Sequence, residues 1–406
     1  MARIVILSSG PLCRNPRVLK EASALGAAGH VVTVLTIARS FQDEQQDESL
    51  LATAPFGKQV VDLVAEHGMG PSIRRFVTRA NAYLARRMPD RSWGAHALGP
   101  VGTMLRAARR IPADLFIAHT ELPMVVAVDL MREGRVVAVD FEDWHSRDLL
   151  PAERIGRPLR LIEETEACLL QQAAGATTTS AAMAAALFSA YGGQRPEVIR
   201  NVFPLQPLPA RKHAELPAFV WFSQTIGPGR GLEAFLAAWT RAQRHSRLVL
   251  IGRDNGYGDT LLRLCPRDAA SRLTIRPPVP AQALPALIAE HHIGLALEPS
   301  SPPNRDLTIS NKLFQYLNAG LGVLATPTAG QCEIATRFKS AIQLVDLESP
   351  DQLSAEIDRL LAAPDRMAMM GRAARQAAED ELCWEREAPR LVQSVQQVLA
   401  GARLSP

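Results

Sequence analysis

The stretch Thr308–Gly322, T-I-S-N-K-L-F-Q-Y-L-N-A-G-L-G, decides how this chain reads. It follows an apolar strand expected at Ile293–Leu297 and a loop, Glu298–Leu307, rich in proline and serine. Ser310 has the chemistry of an N-cap, and Leu313, Phe314 and Leu317 share one helical face. A helix is therefore expected to begin near Asn311, and Gly320 stands where helices end on a left-handed glycine. The result is a helix N-terminus with free backbone N–H groups and a lysine, Lys312, in its first turn. The helix dipole disfavours a cation there unless an anion lies beside it. A solvated lysine on an ordinary helix is the plain alternative, and the rest of the chain weighs against it.

Strand, turn and helix recur on both sides of this stretch. In the first half, apolar strands are expected at Ile4–Leu7, Val31–Leu35, Leu115–Ala118, Val136–Val139 and Ala176–Thr179. Helical patterns run through Val18–Ala28, Met124–Arg132 and Glu163–Gln172. Runs such as VVTVL and RVVAV are continuous rather than alternating, the pattern of a parallel sheet covered on both faces. The segment NVFPLQPLPARKHAELP, ending at Pro217, holds four prolines and no period, so it reads as a linker. Beyond it the pattern restarts, with strands at Ala218–Phe222, Leu248–Ile251, Leu273–Ile275, Ile293–Leu297 and Gly322–Ala325. Leu232, Phe235, Leu236 and Trp239 mark one helix face, and the tail from about Asp351 is helical. The expected class is α/β, two Rossmann-like doubly wound domains facing a cleft, with ligand at the carboxyl ends of the strands.

The bulk numbers agree. A chain of 406 residues is long for one domain, and two of about 200 residues are the default. Hydrophobic content of 47% with 21% charge describes a globular protein with an ample core. Five scattered cysteines without C-x-x-C spacing argue against a disulfide framework or a cysteine zinc site and for a reducing cytosol. The N-terminus passes from Arg3 into a short strand without a signal-peptide core, and no run of about 18 apolar residues occurs. A cytoplasmic chain that spans no membrane is expected. Residues 71–110 hold nine arginines against one acid, Asp90, giving +8 there and −4 over the rest of a chain whose net charge is +4. Ile73, Phe76, Val77, Ala80 and Leu84 recur at helical spacing among them. Docking on an anionic surface, the inner membrane face, is expected of that segment, with a solvated helix face as the alternative.

The loop after the first strand of the second half, F-S-Q-T-I-G-P-G-R-G (Phe222–Gly231), runs directly into a helix. Its glycines admit a ligand close to the backbone, and Arg230 offers a planar fork of donors to phosphate. With Lys312 it supplies two cations at the carboxyl ends of two strands. A dinucleotide oxidoreductase is disfavoured: neither S-S-G-P-L-C-R nor G-R-D-N-G-Y-G has G-x-G-x-x-G spacing. Asp140, Glu142, Asp143 and His145 cluster after the strand Val136–Val139. A metal site and an exposed loop are both consistent with them; acceptor binding or orientation of a reacting sugar is the preferred reading. His119, ending the strand LFIA, reads first as a hydrogen-bonded structural histidine.

On these residues the whole chain resembles the retaining glycosyltransferases of the GT-B fold, family 4 in particular. N-P-R-V-L-K-E-A-x-x-L-x-x-x-G-H (Asn15–His30) is similar to the family's first acceptor-domain helix. T-T-S-A-A-M-A-A-A-L and V-I-R-N-V-F-P are similar to the approach to the linker. R-G-L-E-A-F-L-A-A-W and S-N-K-L-F-Q-Y-L-N-A-G resemble the donor-domain signatures. The resemblance implies an acceptor-binding domain over 1–200, a linker over 201–217 and a nucleotide-sugar domain over 218–385. A last helix, 386–406, packs back on the first domain. It implies a UDP- or GDP-linked donor whose diphosphate meets Gly227, Gly229, Arg230, Ser310, Asn311 and Lys312, with Pro278 and Val279 beside the nucleobase and Gln315 near the ribose. Glu298 falls at the first acid of the family's paired-glutamate motif. His119, Asp140, Glu142, Asp143 and His145 fall on the acceptor side. Three positions depart from the family: Gln224 replaces an arginine, Gln315 a glutamate, and Glu142 the histidine of D-x-H-E. Transfer of a hexose-type sugar with retention to an acceptor hydroxyl is the implied reaction; the acceptor is left unidentified, and a lipid-linked one belongs to the reading of the arginine-rich segment. No cofactor, metal or nucleic-acid partner is expected. A nucleotide-sugar epimerase of the same fold and a non-catalytic binding relative are the alternatives.

Overall fold

Continuous apolar runs become strands buried on both faces, and helices return the chain between them. The computed structural model describes residues 1–88, 94–208, 216–280 and 282–404. The chain divides into two units, Met1–Ile199 with Ala388–Pro406, and Arg200–Glu387.

In the first unit the strands are β1 (Arg3–Leu7), β2 (Val31–Ala38), β3 (Gly57–Asp62), β4 (Leu115–His119), β5 (Val137–Phe141), β6 (Gly175–Thr178) and β7 (Glu197–Val198). They form one sheet in the order β3-β2-β1-β4-β5-β6-β7, parallel throughout. The order turns at β1, whose neighbours are β2 on one side and β4 on the other. The helix Pro16–Ala27 links β1 to β2. It starts with Pro16 in its first turn and the Asn15 side chain accepting from the Val18 amide, the preferred chemistry for that end.

In the second unit β8 (Ala218–Ile226), β9 (Arg247–Asp254), β10 (Leu273–Arg276), β11 (Ile293–Ala296), β12 (Gly322–Ala325) and β13 (Ile342–Leu344) lie in the order β10-β9-β8-β11-β12-β13, again parallel. Along β8, Phe219 and Trp221 pack into one core with Phe235 and Trp239, while Val220 between them packs into another with Leu313, Phe314 and Tyr316. One strand thus feeds two cores on opposite faces. The order turns between β8 and β11, a switch point where open parallel sheets hold ligands beyond the carboxyl ends. The chain is an α/β protein of two Rossmann-like, doubly wound units.

A glycine inside a strand explains how the helix Asn311–Asn318 is placed. A Cβ on Gly294 of β11 would lie 2.2 Å from the Tyr316 ring, so only glycine lets that ring rest on the sheet. Tyr316 Oη donates to the Leu295 carbonyl at 3.3 Å.

Three strands have no counterpart among the expected elements: β3, β7 and β13. Each lies away from the middle of its sheet, and β3 buries only Val61, so the apolar run that betrays a central strand is missing. β8 and β9 run past their expected ends, with a register irregularity between Phe222 and Thr225. Of the expected linker 201–217, residues 209–215 lie outside the described residues. Its first part is laid on the second unit: Val202 is fully buried, the Leu205 amide donates to Glu385, and Asn318 Nδ2 donates to the Pro204 carbonyl. Asp90 and Arg91 of the arginine-rich segment also lie outside the described residues; much of the remainder is the helix Met69–Ala85. Among the described residues, no helix is long and apolar enough to cross a membrane.

Candidate functional site

Two of the expected site groups meet at the switch point of the second sheet. β8 ends at Ile226, and the loop after it carries Gly227, Gly229, Arg230 and Gly231. A Cβ on Gly227 or Gly229 would meet nothing within 4 Å, so the loop faces open space there. Gly231 differs. It has φ +73, and a Cβ on it would stand 2.9 Å from Leu297 Cβ and 2.8 Å from Leu347 Cδ1. Its lack of a side chain seats the turn directly against the residue before Glu298. Arg230 is half-buried and, among the described residues, makes no hydrogen bond or ion pair.

Glu298 follows β11, two residues past Ala296. Its amide donates to Thr326 Oγ1 at 2.9 Å, and that hydroxyl donates to the Glu298 carbonyl at 2.6 Å. Gln331, fully buried, donates to the Thr326 and Ala296 carbonyls and ties the ends of β11 and β12 together. The Glu298 carboxylate accepts from Ser310 Oγ at 3.0 Å and from Lys312 Nζ at 2.5 Å. Lys312 also stands over the Trp221 ring at 5.6 Å, a cation–π contact. Burial pushes the Glu298 carboxyl upward, but the Lys312 charge and hydrogen bond, the Ser310 hydroxyl and the Arg230 charge outweigh it and hold it below its usual range. The anion that the lysine at this helix start requires is thus Glu298. Ser310 stands at the N-cap position but does not cap: its side chain makes no bond to the helix and goes to Glu298 instead.

Arg230, Glu298, Ser310 and Lys312 therefore form one group. Asn311 is exposed and Gln315 half-buried on the same helix. Pro278, exposed, and Val279, half-buried, follow β10, the edge strand two places from β8. Gly231, Thr326 and Gln331 were not singled out from the sequence. Gly231 stood visible in G-P-G-R-G; the other two carry no local signal, since their bonds close only across β11 and β12.

In the first unit, His119 and Asp140 are paired across β4 and β5 and both are fully buried. Arg17 forms a two-pronged bond to Asp140, at 2.7 and 3.0 Å, and donates to the Ile199 carbonyl at 2.8 Å. His119 Nε2 bonds to Glu21. Burial raises the Asp140 carboxyl, yet Arg17, His119 and Thr177 together hold it low. Asp140 thus faces Arg17 rather than open solvent, in a buried ion pair. Arg17 and Glu21 sit four residues apart within N-P-R-V-L-K-E, a spacing that the sequence displayed. Glu21, His119 and Asp140 are close enough to share a metal ion, but the Arg17 guanidinium occupies both Asp140 oxygens and opposes a second cation there.

Glu142, Asp143 and His145 are half-buried just beyond β5. Burial raises Glu142 to about 7; Arg17 and His119 pull downward while Asp143 and Asp140 add to the rise. Next to His145, the Ser146 amide and hydroxyl and Tyr191 Oη all donate to buried Glu166, at 3.1, 2.6 and 2.8 Å. At the switch point of this sheet, Ser9 and Thr120 share a hydroxyl–hydroxyl bond of 2.8 Å. Thr120 has φ +65, a strained conformation for a β-branched residue and of a kind that collects at functional sites.

Comparison with known proteins follows the same lines. Residues 229–393 match the family described as glycosyl transferase-like. A D-inositol 3-phosphate glycosyltransferase of Segniliparus rotundus is 29% identical over 194 residues, 46% of this chain and 41% of that protein's length. Among solved structures, a sucrose-phosphate synthase from Thermosynechococcus elongatus superposes with a TM-score of 0.72 at 14% identity, covering 99% of this chain and 100% of that one. Anabaena HepE in complex with UDP-glucose gives 0.67 at 15% identity, over 98% and 100%. At those identities the likeness is one of fold. Residues 229–393 thus match the glycosyl transferase-like family, and the chain shares its fold, two Rossmann-like parallel-sheet units, with solved GT-B glycosyltransferases.

Proposed function

We propose that this chain is a glycosyltransferase that moves a hexose-type sugar from a UDP- or GDP-linked donor to an acceptor hydroxyl, with retention, in glycan, polysaccharide or glycolipid synthesis. The observation that carries this is the group at the second switch point, where unpaired Arg230 stands beside a tightly held Glu298–Lys312–Ser310 cluster at a helix N-terminus. A nucleoside diphosphate leaves with negative charge. Arg230 keeps its full fork of donors for it, and Lys312 has donors beyond the one spent on Glu298. These fixed cations and the helix dipole meet the developing charge without a metal. Glu298, ionised at neutral pH, is acceptor-only and suits a sugar hydroxyl. The UDP-glucose bound to the structurally similar HepE supports a nucleotide-sugar ligand.

In the proposed step the bond from the sugar's anomeric carbon to phosphate breaks, and a bond to the acceptor oxygen forms on the same face. The acceptor's proton passes to the departing phosphate oxygen, so no dedicated base is needed. Glu142, Asp143 and His145 are the acceptor-side groups left accessible by the burial of His119 and Asp140. An anionic membrane surface is proposed for the helix Met69–Ala85, where Ile73, Phe76 and Tyr83 are exposed among arginines.

The test is release of UDP or GDP from the sugar-linked nucleotide, with and without chelator, and NMR of the product's anomeric proton. The expected outcome is turnover that survives chelation and yields the donor's anomeric configuration. Arg230→Ala and Lys312→Ala are each expected to lose about two to three decades of rate, roughly 3–4 kcal/mol. Release of an epimerised sugar, or turnover unchanged in both variants, would replace this reading.

A further inference from the structure

The helix Met69–Ala85 carries Arg75, Arg79 and Ala82 on one face, and Arg86 at its C-cap continues the row. With Thr78, Gly99 and Arg39 they line a cavity of about 240 Å³ within the first unit. Arg39 follows β2 directly, so its guanidinium comes from the carboxyl end of the sheet. Gly99 makes room for it: with φ +134, a Cβ there would stand 3.4 Å from Arg39 Nη2 and 3.0 Å from Leu122 Cδ1. Among the described residues, none of these four arginines makes a hydrogen bond or ion pair. Their neighbours do. Arg74 donates to the Asp62 carbonyl, Arg106 to Thr103 and Arg109 to Glu133.

Four guanidinium groups that make no hydrogen bond or ion pair among the described residues line one cavity and leave their donors free for an anion. A cavity of about 240 Å³ that opens to solvent has room for one or two phosphoryl groups. We propose that this pocket binds a phosphate group, monoester or diphosphate, carried by the acceptor. The word acceptor rests on the glycosyltransferase reading; the anion site does not. Arginine forks match phosphate oxygens two at a time. Phe76, 73% exposed, and Ile73, 58% exposed, stand on the same helix and would suit a lipid headgroup's surroundings; a soluble ester is the other source of the same phosphate.

The experiment titrates inorganic pyrophosphate calorimetrically into the full chain carrying Arg230→Ala and Lys312→Ala, which removes the donor cations. The same titration is made with Arg75→Gln and Arg79→Gln added. Binding is expected in the first chain and about tenfold or more weaker in the second. The Arg75→Gln/Arg79→Gln chain with an intact donor site is expected to bind UDP or GDP as the unaltered chain does. In anion-free buffer it is expected to melt no lower than the unaltered chain, because neither side chain makes a hydrogen bond or ion pair among the described residues. Equal pyrophosphate affinity in the two backgrounds, no binding in either, or a lowered melting temperature overturns the site. Co-sedimentation with phosphatidylglycerol and phosphatidylcholine vesicles identifies the source. Anionic-vesicle binding that pyrophosphate competes away assigns a lipid headgroup; pyrophosphate binding without vesicle binding assigns a soluble ester. Vesicle binding without pyrophosphate binding makes the arginines a diffuse surface and overturns the pocket.

Discussion

Glu298 and Lys312 hold each other in a place where neither charge stands well alone. Each side chain is only 11% exposed, so removing one partner strands the other. Lys312→Met and Glu298→Gln are each expected to cost about 3–5 kcal/mol of stability. The double variant should cost less than their sum by about 1–3 kcal/mol. Urea unfolding of the three variants measures this, and strict additivity would deny the pairing. Because the Glu298 carboxyl is held low, its share of the stability is present above the unfolded carboxylate range and is lost as pH falls through the folded value. Glu142 behaves oppositely. Burial first, then Asp143 and Asp140, raise it to about 7 against the downward pull of Arg17 and His119. The folded chain therefore binds that proton more tightly than the unfolded chain, and stability declines as pH rises from near 4.5 through 7. Glu142→Gln is expected to flatten the dependence of melting temperature on pH across that window. An unchanged slope would assign the titration to other groups.

Elements and their order were largely legible, because central parallel strands must be apolar on both faces and cannot hide. VVTVL, LFIA and IGLA announce β2, β4 and β11. The edge strand GKQVVD, half polar, announces nothing. Arg230 and Lys312 stood out because a cation at a strand end or helix start is costly without a partner; the structure gives Lys312 that partner in Glu298 and gives Arg230 none among the described residues. The fate of Ser310 was not legible, since a serine before a helix caps far more often than it reaches a carboxylate twelve residues away. Nor could the sequence tell that Asp140 is taken by Arg17, which lies 123 residues earlier. Gly294 stood in plain view inside IGLA, but its partner Tyr316 belongs to another element. Gly294→Ala forces that ring away and shifts the helix bearing Lys312. The expected cost is about 1–3 kcal/mol or more, with UDP or GDP affinity weakened in step. Full stability and affinity in Gly294→Ala would show that helix placement does not depend on this contact.

At the scale of the molecule, two doubly wound units carry different chemistry at the carboxyl ends of their sheets. The first buries its acids against Arg17 and His119 and gathers unpaired arginines elsewhere; the second leaves Arg230 unpaired beside a locked Glu298–Lys312 pair. On that contrast the nucleoside diphosphate is proposed for the second unit. The most direct check is calorimetric titration of UDP and GDP into the full chain in the presence of EDTA, repeated with Arg230→Ala. Binding of at least one nucleotide without metal is expected, weakened in the variant by about 1.5–3 kcal/mol, the worth of a charge-assisted hydrogen bond. Binding that requires a divalent ion, or that is unchanged by Arg230→Ala, would contradict that proposal.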